Sequence, residues 1–118
     1  MTSENKAVLT EANACVARGD YEGFLAFCTD DTRWTFVGDR VLNGKDAVRQ
    51  YMAEAYEVPP VFNTSDLIGE GETVTALGEI TLREQGQAKR YAYCDVWKLR
   101  DGKLAELRAF VVPLSDEA

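Results

Sequence analysis

The chain contains no histidine. That absence removes the Ser-His-Asp triad, the histidine-activated cysteine and every histidine-ligated metal site. Acid–base chemistry is left to Asp, Glu, Tyr, Lys or Cys. Positive charge is scarce as well: 13 Lys and Arg stand against 20 Asp and Glu, a formal net charge of −7. Such a chain lacks the basic face that phosphate backbones and anionic bilayers require, so neither nucleic acid nor a membrane is expected as a partner. No apolar run approaches the roughly 18 residues of a membrane span. The start, MTSENKAVLTEANACVARGD, has no basic segment followed by an apolar one and does not read as a signal peptide. Cysteine is sparse: Cys15, Cys28 and Cys94 are odd in number and lack metal-ligand spacing. They read as free, mostly buried thiols in a reducing, cytoplasmic setting. No glycine-rich phosphate loop or dinucleotide fingerprint is present, so no cofactor and no metal are expected.

What is present fits one globular domain. The 118 residues are 46% hydrophobic and 28% charged, long enough for a sizeable core. The domain is expected over residues 1–114, with 115–118 a disordered acidic tail. A first helix is predicted over residues 3–18, capped by Thr2 or Ser3 and stopped by Gly19. Its apolar stripe is Val8, Leu9, Ala12, Cys15 and Val16. Asp20 caps a short second helix that Asp30-Asp31 breaks. A strand follows over 33–37, with Trp34 and Phe36 on one face. After a turn at Gly38-Asp39-Arg40, Asn43 caps a third helix, with Asp46 in its first turn and Pro59-Pro60 past its end. Val48, Tyr51, Met52, Ala55 and Tyr56 form its apolar face.

The remainder reads as a four-stranded antiparallel meander with strands at 61–69, 73–84, 88–99 and 104–113. Gly78, inside a long strand, marks a sharp bend. The most informative stretch is 90–110, RYAYCDVWKLRDGKLAELRAF. Asp101-Gly102 accepts the positive φ angles of a type I′ hairpin. On the strand before it, Tyr91, Tyr93, Asp95 and Trp97 share one face, so one carboxylate sits among three large rings. If that face is buried, the carboxylate must be protonated, hydrogen-bonded or paired. Helices first and a long meander after predict an α+β fold with helices on one face of the sheet.

The order of these elements, with ARGDYEGFLAFCTDDTRW, the helix start NGKDAVRQYM, and DVWKLRDGKLAELRAF, resembles the nuclear-transport-factor-2-like superfamily over nearly the whole chain. More narrowly it resembles the SnoaL-like and ketosteroid-isomerase-like group. The resemblance implies a cone: a strongly curved antiparallel sheet wrapped around three N-terminal helices, an apolar pocket inside, and homodimers through the outer sheet face. Matched to ketosteroid isomerase, the oxyanion tyrosine falls on Ala12, the general-base aspartate on Phe36, and the protonated, hydrogen-bond-donating aspartate on Asp95. Two of three catalytic positions therefore carry no polar group, which argues against steroid isomerisation by that mechanism.

Asp95 is the candidate catalytic residue, a pocket acid that donates a hydrogen bond or moves a proton. The competing reading is an acid bonded to a tyrosine or a backbone amide at the pocket floor. Trp34, Phe36, Tyr51, Tyr56, Tyr93 and Trp97 are candidate ligand-binding walls, set against plain core packing. Cys15 reads as an inert buried thiol. Asp30-Asp31 and Glu70/Glu72 read as loop charges. Leu107, Ala109 and Val111 are expected inside. Glu106, Arg108 and Phe110, with Leu77, Cys94 and Val96, are expected on an outer face that forms a dimer, set against a merely solvated surface. The expected function is binding of a small hydrophobic carbonyl or polyketide-like compound, with isomerase or cyclase chemistry. The alternative is a non-catalytic ligand-binding or dimerisation module. An epoxide hydrolase or dehydratase ranks lower, because only one inward acid is identifiable.

Overall fold

The computed structural model describes residues 2–114; the expected acidic tail lies outside the described residues. Helix α1 spans Thr2–Ala17. Gly19, at φ +81°, ends it in a Schellman motif: its amide bonds to the Val16 carbonyl and the Asp20 amide to that of Cys15. Helix α2, Tyr21–Leu25, is capped by the Asp20 carboxylate, which accepts from the Gly23 amide at 2.9 Å.

Strand β1, Cys28–Phe36, begins earlier than the sequence reading placed it. Asp30 and Asp31 do not break a helix. They lie where the β1 register shifts between Cys28 and Arg33, and their side chains reach solvent, Asp31 toward Arg100 and Asp30 toward Lys45. A four-residue strand that no periodicity could reveal follows as β2, Arg40–Asn43. Its pairing corrects the expected helix cap. Asn43 is tied in strand geometry opposite Arg33, and Gly44, at φ +88° and ψ 161°, turns the chain into α3, Lys45–Ala55. That conformation is essentially reserved for glycine. Arg49 of α3 bonds both Asp46 and Glu22 and so clasps α3 to α2.

Strands β3 (Val61–Glu70), β4 (Thr73–Glu84), β5 (Gln87–Arg100) and β6 (Lys103–Pro113) form the meander. The β4–β5 and β5–β6 turns each hold two successive residues at positive φ, Gln85-Gly86 and Asp101-Gly102, as type I′ hairpins require. The six strands are ordered β2-β1-β6-β5-β4-β3, antiparallel throughout except where β1 runs parallel to β6. A bulge at Ser65 shifts the β3–β4 register, and Gly78 pairs with Thr64 beside it. A Cβ on Gly78 would lie 2.2 Å from the Asn63 carbonyl oxygen. The missing side chain therefore lets β3 close onto β4 where the sheet bends.

The helices cover the concave face. Leu9, Ala12, Val16, Phe24, Val48 and Met52 pack there against Trp34, Val74, Trp97, Leu104 and Leu107. No described helix is long and apolar enough to cross a membrane.

Candidate functional site

Period-two alternation lays the inward side chains of the sheet in rows. One row runs Trp34, Leu107, Trp97, Val74 across β1, β6, β5 and β4. The next runs Phe36, Ala109, Asp95, Ala76. Alanines therefore flank Asp95 on both neighbouring strands, while the row beside it carries two tryptophans. The small side chains leave unfilled space directly over the carboxyl group.

That space is a cavity of about 60 Å³. Its wall includes Trp34, Phe36, Tyr56, Tyr93, Asp95 and Trp97, closed by Asn13 and Val16 of α1, Phe24, Phe62 and Ile80. Six of the seven candidate residues meet there. Tyr51 stands one layer out: its ring packs on Trp34, Phe36 and Tyr56 at centroid distances of 6.3, 5.0 and 5.7 Å, with the Arg40 guanidinium over it. Trp34 is the hub of the cluster, edge-to-face with Phe24, Phe36, Tyr51 and Trp97. Its indole N–H is buried and finds no acceptor among the described residues. Tyr91, on the same face of β5 as Asp95, turns to the rim and bonds Glu84 at 2.8 Å.

Among the described residues no side chain pairs with or hydrogen-bonds the Asp95 carboxyl. Its accessible surface opens on the cavity, and desolvation alone pushes its pKa up from 3.8 to about 7. The Tyr56 and Tyr93 hydroxyls lie within reach of its field: burial chiefly raises both phenols above their ordinary value, and the Asp95 charge is among the smaller causes, behind Tyr51 at Tyr56 and opposed by the Thr64 hydrogen bond at Tyr93. Tyr93 is held by Thr64, oxygen to oxygen at 2.7 Å. The Tyr21 hydroxyl donates to the Tyr56 carbonyl and so fixes the chain where Tyr56 leaves α3.

Asn13 is the lining residue that the sequence reading passed over. Ala12 is buried, while Asn13 precedes Val16 by three positions and so shares its helical face. Its amide adds a donor and an acceptor to a cavity otherwise bounded by rings, aliphatic side chains and one acid. The cysteines take no part. Cys15 is buried beside the Arg18 guanidinium, and burial pushes the Cys28 thiol up to about 11. Among the described residues no group of three or more Cys, Asp or Glu is placed to hold a metal ion. The arrangement supplies one proton-exchanging group of near-neutral pKa, ringed by apolar and phenolic walls.

Similarity to proteins of known structure follows the same outline. The chain superposes on SalBIII, an epoxide hydrolase/cyclase-like enzyme of pyran-ring formation in the polyether salinomycin, with a TM-score of 0.87 at 20% identity, covering 92% of this chain and 91% of that one. A proposed ketosteroid isomerase of Kribbella flavida superposes with a TM-score of 0.80 at 14% identity, over 99% and 84% of the two chains. An M. tuberculosis LEH-like epoxide hydrolase gives 0.81 at 18% identity, over 93% and 84%. Comparison with curated proteins returned no match. At such identities the structural likenesses establish the fold alone. The family rests on sequence: the SnoaL-like domain model matches residues 9–107, and the chain belongs to the SnoaL-like domain family.

Proposed function

We propose that this protein binds a small, uncharged carbonyl compound over Asp95 and moves a proton on it, as a metal-independent isomerase or cyclase. The observation that carries the reading is an unpartnered carboxyl group in an apolar cavity, flanked by Ala76 and Ala109 and held near pKa 7. A group of that pKa suits proton transfer at neutral pH, because both of its forms are populated. The carboxylate takes a proton from the carbon next to the substrate carbonyl, leaving an enolate. The carboxylic acid returns the proton at a different carbon, so that acid, base and substrate atoms balance over the cycle. The Tyr56 and Tyr93 hydroxyls and the Asn13 amide are the donors available to the enolate oxygen. Titration of Asp95 between acid and base sets this arrangement apart from one in which a second carboxylate does the abstracting, since Phe36 stands across Ala109 from it.

A second reading has its own support. Ala12 and Phe36 bring no polar group to the positions where the resemblance puts an oxyanion donor and a base, which fits a binding module without chemistry. One experiment separates the two. With 2-butanone in D₂O, NMR follows both binding and loss of the protons beside the carbonyl. We expect exchange that rises with pH toward a plateau above about pH 7 and is abolished in Asp95→Asn. Binding without exchange would establish the non-catalytic module. No binding and an Asp95 carboxyl titrating near 4 would remove both readings of the cavity.

A further inference from the structure

The cavity alone is far smaller than the roughly 300–1,000 Å³ of a typical small-molecule site. It has a neighbour. Between α1 and β3 lies a groove of about 430 Å³, lined by Thr10, Ala14 and Ala17 from the helix and Ser65, Asp66 and Leu67 from the strand. Asn13 and Phe62 line both compartments. Helix and strand meet tightly at one end: a Cβ on Gly69 would lie 2.4 Å from Thr2. Away from that end the Ser65 bulge interrupts β3, and there the groove lies between helix and strand. The Thr64–Tyr93 hydrogen bond spans the partition, Thr64 belonging to the groove and Tyr93 to the cavity.

We infer that the groove is the second half of the ligand site, and that the ligand is bipartite: an oxygen-bearing head over Asp95, and an uncharged, largely aliphatic tail passing between Asn13 and Phe62 to lie along α1. This rests on the carbonyl-binding reading of the cavity and specifies its substrate class. Ala14, Ala17, Leu67 and Phe62 offer the tail an apolar bed. Asp66 at the groove and the net charge of −7 oppose an anionic tail. Together the two compartments have room for a molecule of ordinary metabolite size, which the cavity alone does not.

The test is a series of 2-alkanones from 2-butanone to 2-nonanone, read by NMR titration of the whole chain. Once the chain outgrows the cavity, affinity should rise about fourfold for each added methylene, and amide signals of Thr10, Ala17 and Ser65 should shift with the long ketones but not with 2-butanone. In Ala14→Phe, an exposed helical position, the ratio of 2-nonanone to 2-butanone affinity should fall toward one. Circular dichroism checks that this variant is folded. If 2-butanone binds and lengthening adds nothing, the groove inference is wrong and the cavity reading stands. If long ketones shift groove signals while the Asp95 carboxyl does not respond, the groove is a separate surface and the inference fails. If no ketone binds, the cavity reading fails and takes the inference with it.

Discussion

A carboxyl group whose proton is held more tightly in the folded chain than in the unfolded one makes stability depend on pH. Asp95 goes from 3.8 to about 7 on burial. The folded state therefore binds more protons than the unfolded state between those values. The contribution of Asp95 to stability is therefore greatest below about pH 4, falls as pH rises toward 7 and levels off above it. At 1.36 kcal/mol per pH unit the full loss is about 4 kcal/mol. Asp95→Asn removes the charge that must be buried, so its stability should lack this slope. We expect the variant to match wild type near pH 4 in urea denaturation and to exceed it by several kcal/mol at pH 8. Equal pH slopes for the two proteins would contradict a desolvated Asp95. That Asp95 faces a group of rings was legible from alternation along 91–97. Its isolation was not, because the alanines beside it belong to strands whose register no local pattern fixes.

Among the elements, the β3–β4 pair depends on a side chain that is missing. Gly78→Ala would drive a methyl group into the Asn63 carbonyl and the Thr64 Cα, 2.2 and 2.8 Å away. Both are backbone atoms that cannot swing aside. We expect a loss of about 2–3 kcal/mol, visible in thermal melts, with faster amide exchange in β3 than elsewhere in the sheet. The short helix α2 depends on its cap. Asp20→Ala strands the Gly23 amide and should cost about 1 kcal/mol, with Asp20→Asn largely rescuing it. Both roles are legible in the sequence, Gly78 as a glycine inside a strand pattern and Asp20 as a cap behind a helix stop. Elements of four or five residues fared worse. Strand β2 is too short to display a period, and Asn43, a good capping residue in isolation, is claimed by its ladder partner Arg33. Asp30-Asp31 looked like a break, yet a bulge keeps both carboxylates in solvent and lets β1 run through them.

For the molecule as a whole, the convex face of the sheet is the surface left without a covering layer. Phe110 and Val112 are 40% and 58% exposed there, and Leu77, Cys94 and Val96 extend the same face. We propose that a second copy of the chain covers it. Sedimentation should give twice the 13.1 kDa of one chain, and Phe110→Lys should shift the population toward monomer. A wild type that sediments as a single chain at high concentration would overturn the dimer.

The sequence by itself determined the fold class, the order of the long elements, the hairpins and the inward face of β5. These follow from local spacing and turn chemistry, which act within a few residues. It also ruled out histidine-based catalysis outright. Only the tertiary structure decided that Ala76 and Ala109 flank Asp95, that Tyr51 backs the wall without lining the cavity, and that Asn13 and Phe62 sit where cavity and groove meet. Each of these depends on which residues of different strands and helices come opposite one another. That is set by long-range register, a single bulge and the packing of α1 across the sheet, and it leaves no trace in the spacing of any one segment.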